Sequence, residues 1–188
     1  HSGTGRINLS SLFTESCLRM LAPDGKAGIV SPSGVATDSF TQRLWNHITD
    51  GRLVSFFDFE NREKVFPAVD SRMKFCLLTM GRSSMADFAF FLSATEQLHQ
   101  KQRRFQLAAE DFRLINPNTR TCPIFRSQAD AELTKKIYRR WPILWREAQG
   151  EQAEENPWGL EFQLMFMMNT DSVHFLNAKT ATSLPLYE

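Results

Sequence analysis

The sequence has few cysteines and no long apolar run, and each shortage excludes a class of protein. The three cysteines, Cys17, Cys76 and Cys122, are widely spaced and odd in number, which argues against a disulfide framework and a structural zinc site. The four histidines lack ligand spacing, so no metal-binding residues are predicted. No uncharged apolar run approaches the ~18 residues of a membrane span, and the first residues do not form a secretory signal. We therefore expect a soluble, cytoplasmic protein with reduced thiols and no membrane partner.

The charge of the chain is unevenly distributed. The 188 residues are 42% hydrophobic and 23% charged, with a net charge of +1, a globular composition. Residues 1–100 are balanced, residues 101–146 carry 11 basic against 4 acidic side chains, and residues 147–188 carry 1 against 7. A concentrated basic segment is typical of a protein that binds nucleic acid, but it is equally typical of a solvated helix face. The charge pattern leaves both interpretations open.

The first 60 residues alternate between helical and extended patterns. Apolar residues recur at helical spacing over residues 7–21 and 40–48, whereas residues 26–31 and 53–59 are short apolar runs bounded by turn residues. Helix and strand in alternation predict a parallel α/β sheet.

The pattern changes after residue 72. Residues 73–80 and 86–92 are two apolar runs joined by Gly81-Arg82-Ser83-Ser84, which predicts an antiparallel hairpin at the end of the sheet. A polar, basic helix is predicted over residues 95–104. A longer helix is predicted from about Asp130 to Pro142, with Leu133, Ile137 and Tyr138 on the face that packs.

Two groups of residues are candidates for function. Asp58, Glu60 and Glu63 cluster where a strand ends, a place where α/β enzymes hold functional groups, although a solvated acidic turn is the more common explanation. Phe66 stands in the proline-containing loop Val65-Phe66-Pro67-Ala68-Val69. Its ring could stack on a nucleic-acid base, worth about 1–3 kcal/mol, or it could seal the end of the sheet.

Two arginines in the basic segment are also candidates. Arg120 ends the polar loop Asn116-Pro117-Asn118-Thr119-Arg120, and Arg126 follows Phe125. Both guanidinium groups could contact phosphates, cap backbone carbonyls or pair with the acidic tail.

Several separated motifs, in order, resemble the large bacterial adenine-specific DNA methyltransferases of type IIG-like restriction-modification systems. They include Leu21-Ala22-Pro23-Asp24-Gly25-Lys26-Ala27-Gly28-Ile29-Val30-Ser31-Pro32, Asp58-Phe59-Glu60-Asn61-Arg62-Glu63, Val65-Phe66-Pro67-Ala68-Val69-Asp70-Ser71-Arg72 and Asn116-Pro117-Asn118-Thr119-Arg120. Further matches extend the resemblance along nearly the whole chain. It implies methyl transfer from S-adenosylmethionine to the N6 of adenine in double-stranded DNA, with Phe66 packed against the adenine that leaves the duplex.

The resemblance also implies that the chain is one part of such an enzyme. The family's cofactor loop, aromatic-x-Gly-x-Gly, and its Asn/Asp-Pro-Pro-aromatic tetrapeptide are missing from this sequence. We therefore expect no catalytic or cofactor-binding residues here, and no activity or cofactor binding by the chain alone. Residues 1–95 would be the second half of a Rossmann-like methyltransferase sheet, parallel strands plus an antiparallel hairpin. Residues 96–188 would be a basic, mostly helical connector toward a target-recognition domain.

The resemblance also bears on partners. The DNA contacts expected from the basic segment are Arg103, Arg104, Arg120 and Arg126, and self-association is expected through an uncovered sheet edge. The alternative function is a non-catalytic nucleic-acid-binding or interaction module centred on residues 101–146.

Overall fold

The computed structural model describes residues 8–164, 166–176, 178, 180 and 182–183. Helix α1 is Leu9–Met20, and its first turn is capped by Asn8, whose Oδ1 accepts a hydrogen bond from the Ser10 backbone N–H at 3.0 Å. Pro23 and Gly25 follow the end of α1, and strand β1 is Lys26–Pro32. Next come the short helix α2 (Gly34–Thr37), helix α3 (Gln42–Thr49) and strand β2 (Leu53–Glu60). The alternation predicted for the first 60 residues is confirmed.

Five strands form one mixed sheet, in an α/β fold. Strands β3 (Lys74–Gly81), β4 (Met85–Leu92) and β5 (Phe105–Ala108) complete it in the order β1-β3-β2-β4-β5. β3 is antiparallel to both β1 and β2, β4 is parallel to β2, and β5 is antiparallel to β4. Since β1, β2 and β4 run in the same direction, all three end at one side of the sheet, called here the carboxyl edge. The other side, where these three strands begin, is the amino edge.

The predicted hairpin of residues 73–80 and 86–92 is wrong. Both runs are strands, but they do not pair with each other, because β2 lies between β3 and β4. The connection crosses two strand spacings, about 10 Å, a distance that its three residues can span. It passes over the start of β2, where the backbone N–H of Ser83 donates to the carbonyl of Gly51 at 3.0 Å and that of Gly81 donates to Arg52 at 2.9 Å.

The main core lies on one face of the sheet. Trp45 of α3 is fully buried, and its ring meets Phe56 of β2 edge-on at 5.4 Å and Phe112 of helix α4 (Ala109–Ile115) at 6.1 Å. Strand alternation turns Phe57 and Phe59 to the opposite face. There a smaller cluster forms around Phe59 and Leu92.

The second half of the chain contributes to the same core. β5 pairs with β4, and Phe105 and Phe125 are buried beside Phe88, with Phe125 edge-on to Phe105 at 5.4 Å. The boundary predicted at residue 95 therefore falls between two neighbouring strands of one sheet. The predicted helix over residues 95–104 consists of two 3₁₀ turns, Thr95–His99 and Lys101–Arg103.

The face that helix α5 (Gln128–Arg140) packs against the core was predicted correctly only at Tyr138, which is partly buried against the core. Leu133 and Ile137 are 59% and 47% exposed, whereas Ala131 and Lys135 are buried. Small Ala131 lets the helix approach the core, and the Lys135 ammonium keeps hydrogen-bonding partners in the Gln106 carbonyl at 3.4 Å and the carboxylate of Glu132 at 2.6 Å.

The chain after α5 exposes much apolar surface. Phe162 is 85% exposed, although its ring stacks on that of Trp145 at 5.4 Å, and Trp158 is 74% exposed. These side chains therefore do not pack into the core of the domain. The segment ends in the short helix α6 (Met168–Asp171) and a 3₁₀ turn, Ser172–His174. Within the described residues, no helix combines the length and apolar character needed to cross a bilayer.

Candidate functional site

The loop after β2 places Phe66 at the carboxyl edge. β2 ends at Glu60, a 3₁₀ turn spans Asn61–Glu63, and the chain returns to the same edge as β3 begins at Lys74. The residue is 39% exposed. One side of its ring is supported by Phe75, whose ring lies 4.9 Å away at an interplanar angle of 82°. Phe75 in turn stacks on buried Phe59 at 5.2 Å. The exposed ring is thus the outermost of a row of three.

Asn61 holds this loop from inside. It has no exposed surface, and its amide Nδ2 donates to the backbone carbonyls of Phe66 and Val69, both at 3.0 Å. Its Oδ1 accepts from the backbone N–H of Phe66 at 2.9 Å. One buried side chain therefore binds both backbone groups of the residue whose ring is exposed. The sequence interpretation missed Asn61, for which the available signal was an amide directly after a strand and before a proline-containing loop.

Two further contacts stiffen the loop. Lys64 adopts the left-handed backbone conformation (φ 55°), and its ammonium donates to the Val69 carbonyl at 3.0 Å. Arg72 makes a paired contact with Asp70, with its Nη2 at 3.0 Å from Oδ2 and its Nε at 3.1 Å from Oδ1. Both contacts are exposed, so each contributes little free energy by itself. Asn61 and Lys64 thus hold the loop through the backbone of Phe66 and Val69, and Arg72 holds it through the side chain of Asp70.

Asp58 is buried at the same edge of the sheet, on the main core face. Its carboxylate accepts a hydrogen bond from the hydroxyl of Ser33, which follows β1. Burial raises the pKa of Asp58 above its ordinary value, although the Ser33 hydrogen bond and the charge of Lys74 oppose that shift. The hydrogen bond between Asp58 and Ser33 therefore links the end of β2 to the end of β1, which is a structural role.

The other two acidic candidates are placed differently. Glu60 forms ion pairs with Arg62 and with Lys74, the latter at 3.5 Å. Burial would raise the pKa of Glu60, but the hydrogen bond and charge of Arg62 and the charge of Lys74 outweigh it, so the pKa is lowered. Glu63 is exposed and has no ion pair or hydrogen bond within the described part of the chain. The three carboxylates therefore do not form one acid–base group.

Arg126 brings positive charge to the carboxyl edge. Its guanidinium lies 4.6 Å from the centre of the Phe91 ring, at the end of β4, and the ammonium of Lys74 lies 5.5 Å from the same ring. Phe91 has a positive φ of 57°, uncommon for an aromatic residue. Arg126 and Lys74 thus add positive charge at the edge that carries Phe66.

The other predicted DNA contacts lie elsewhere. The Nε of Arg103 donates to the Gln100 side chain at 2.7 Å. The guanidinium of Arg104 binds Asp87 at 2.5 Å and covers the ring of Phe57. Arg120 lines a cavity at the amino edge, beside the start of β2. The four arginines predicted to contact DNA therefore do not form a single surface, and whether any of them binds DNA stays a prediction.

Comparison with known proteins adds little. No family model matches the sequence, and no curated protein matches it. Among solved structures, the chain is similar to one from a study of complex assembly and conformational transition of the type I R-M system, with a TM-score of 0.46 and 11% identity. The match covers 74% of this chain and 40% of that chain. A likeness this weak carries no argument about what this chain binds or does.

Proposed function

We propose that this chain is the distal half of the catalytic domain of an adenine-N6 DNA methyltransferase of the restriction-modification type. The observation that carries the proposal is Phe66, which is 39% exposed at the carboxyl edge with its backbone N–H and carbonyl both bound by buried Asn61. A base taken out of a duplex loses its stacking, and the enzyme that extrudes it must supply replacement surfaces. A preorganised aromatic ring supplies one such surface without an entropic cost at the moment of binding.

The position of the ring in the sheet supports this proposal. In open α/β sheets, ligands bind outside the carboxyl ends of the strands. The resemblance assigns residues 1–95 to the second half of a methyltransferase sheet, and the strands β1, β3 and β2 of this part lie side by side here. Arg126 and Lys74, at the same edge, offer positive charge for the phosphates that flank a target nucleotide.

The two carboxylates at the end of β2 do not fit S-adenosylmethionine, the methyl donor that the proposal implies. Asp58 and Glu60, the carboxylates that end β2, are engaged by Ser33 and by Arg62 and Lys74, so neither is free to bind the hydroxyl groups of a ribose. We propose that other parts of the whole protein bind the cofactor and supply the second face for the adenine. The residues of this chain position the base and exclude water from one side of it.

The stacking role can be tested on this chain with a single-stranded oligonucleotide that carries one 2-aminopurine, a fluorescent analogue of adenine. Phe66→Leu keeps an apolar side chain but removes the ring, and we expect binding to weaken about 5- to 150-fold, the equivalent of about 1–3 kcal/mol of base stacking. The matched control is Phe40→Leu, which removes a 49% exposed aromatic ring outside this loop. Equal effects of the two substitutions, or none, would contradict the proposal.

Methyl transfer needs a separate test. DNA from cells that express the whole protein should contain N6-methyladenine, and Phe66→Ala should lower its content much more than it lowers the amount of folded protein. A parallel loss of both would indicate that Phe66 only packs.

A further inference from the structure

Two adjoining cavities lie at the amino edge of the sheet, opposite Phe66. The larger has a volume of about 360 Å³ and is lined by the end of α3, the start of β2, α4 and the loop after α4. The smaller, of about 260 Å³, lies between the loop after α1 and the connection from β3 to β4. Asp50 and Arg52 line both cavities, Arg113 and Arg120 line the larger, and Arg82 lines the smaller. We call these four arginines the amino-edge arginines.

The amino-edge arginines carry unbalanced charge. All four are exposed, and none forms an ion pair with any described residue. Elsewhere the described chain pairs six arginines with carboxylates: Arg19, Arg62, Arg72, Arg104, Arg139 and Arg146. Asp50 is the one acidic residue lining the two cavities, as far as the described residues go, and it pairs with none of the four. The two cavities therefore have a clear excess of positive charge.

The backbone holds two of these arginines in fixed places. Arg120 adopts the left-handed conformation (φ 53°), which a residue with a Cβ rarely takes. Its backbone N–H donates to the Asn116 carbonyl at 2.7 Å, and the Asn116 side chain donates to the Thr121 carbonyl at 3.0 Å. Such conformations cluster where they serve a function. Both backbone groups of Arg52 form hydrogen bonds. Its N–H donates to the carbonyl of Ile48 at 3.2 Å, and its carbonyl accepts from the backbone N–H of Gly81.

We propose that the amino-edge arginines bind the phosphodiester backbone of a nucleic acid, at a site distinct from the Phe66 loop. A guanidinium group can donate two parallel N–H hydrogen bonds to the oxygens of one phosphate. The four guanidinium groups are spread over two cavities that share Arg52. This arrangement suits a polymer that carries one phosphate per nucleotide, whereas a single small anion would occupy one cavity only. The eight residues of β2 separate the two edges by about 26 Å. The two sites can therefore be altered independently, and this inference does not rest on the proposed methyl transfer.

The test is fluorescence anisotropy of a labelled duplex of about 20 base pairs, titrated with the chain at salt concentrations from about 50 to 200 mM. The variant is Arg52→Gln/Arg113→Gln/Arg120→Gln. The matched control, Lys101→Gln/Lys136→Gln/Arg140→Gln, removes the same charge from exposed positions outside both cavities. Each contacted phosphate contributes about 0.9 to the slope of log K against log salt. We expect the variant to lose more than about 10-fold in affinity and up to about 2.7 in slope, and the control to change much less.

Three results would overturn the inference. No loss in the variant would show that the arginines do not contact the duplex, and an equal loss in variant and control would show diffuse surface attraction. Tight binding of pyrophosphate at these arginines that the duplex does not compete away would assign the site to a small phosphate compound. Circular dichroism and thermal melting should first show that both variants fold as the wild type does. The stacking proposal is tested separately by Phe66→Leu on the single-stranded oligonucleotide, so that its failure is separable from a failure of the arginine variant in the duplex titration.

Discussion

The substitution that tests the structure of the loop most directly is Asn61→Asp. The side chain keeps its shape, and the introduced carboxyl can still accept the hydrogen bond of the Phe66 backbone N–H. It loses, however, the amide that donates to the carbonyls of Phe66 and Val69 at 3.0 Å and more weakly to that of Asp70 at 3.4 Å. Each hydrogen bond contributes a net ~0.5–1.5 kcal/mol, so two good ones and one weak one amount to about 2–3 kcal/mol.

The pH dependence of this loss carries the decisive information. An ionised carboxylate would face two or three carbonyl oxygens at a site with no exposed surface, which disfavours the charged form and raises the pKa of the introduced carboxyl in the folded state. A carboxyl group whose pKa is raised in the folded state destabilises the fold in full above that raised pKa. Below the pKa of the unfolded state, about 3.9 for an aspartate, it has no such effect. The destabilisation should therefore be largest at neutral pH. It should shrink near pH 4, where the protonated carboxyl can donate one hydrogen bond again.

Urea denaturation of wild type and variant at a series of pH values measures this difference, and hydrogen exchange at the Phe66 and Val69 amides shows whether the loop opens locally. The matched control is Asn156→Asp. Asn156 binds the backbone N–H of Leu160 at 2.8 Å and its carbonyl at 2.7 Å, but in an exposed segment, so its loss should cost less than about 1 kcal/mol. A variant at position 61 that is as stable as the wild type at neutral pH, or a loss that does not vary with pH, would refute the reasoning.

Two further predictions concern the buried groups beneath the carboxyl edge. Burial raises the pKa of Asp58 in the folded state above its ordinary 3.8. The ionisation of Asp58 therefore destabilises the wild type as the pH rises from about 4. Urea denaturation should show Asp58→Asn gaining on the wild type between about pH 4 and pH 7, and a constant difference would contradict this. Burial also raises the pKa of Cys76 to about 12 and that of fully buried Cys122 well above its ordinary value. A thiol-reactive dye should therefore label Cys17 readily in the native protein and the other two only after denaturation; fast labelling of all three would contradict the fold.

The local elements were largely predictable from the sequence. Residues 53–59 and 73–80 are rich in apolar and aromatic side chains, and both are strands within one residue of the predicted bounds. Helix α5 was predicted at nearly its observed length. Its buried face was predicted only at Tyr138, because the pattern of large apolar residues gave no weight to Ala131 and Lys135. A small residue and the aliphatic stem of a lysine can pack closely against a sheet while Leu133 remains exposed.

The candidate site was predictable only in part. The proline loop drew attention to Phe66, and its ring is indeed exposed at the end of the sheet. Asn61 was not singled out, because an amide after a strand is a weak signal and its partners are backbone groups five to nine residues later in a loop without regular structure. Side-chain to backbone bonds of this kind leave little trace in residue type or spacing. The coordinates alone identify the residue on which the position of the ring depends.

Of the amino-edge arginines only Arg120 was a candidate from the sequence, and the hairpin prediction gave no reason to place Arg82 beside Arg52. Arg52 and Arg82 belong to the stretch whose charge is balanced, and Arg113 to the basic segment, so counting charge along the chain separates them. The connection from β3 to β4 crosses the start of β2, where Ser83 and Gly81 bind the backbone of Gly51 and Arg52. That crossing brings Arg82 to the cavity that Arg52 also lines. In a hairpin, β3 would pair with β4 directly, and the start of β2 with Arg52 would not lie between them. The strand order therefore brings Arg52 and Arg82 to the same cavity and concentrates positive charge at this edge.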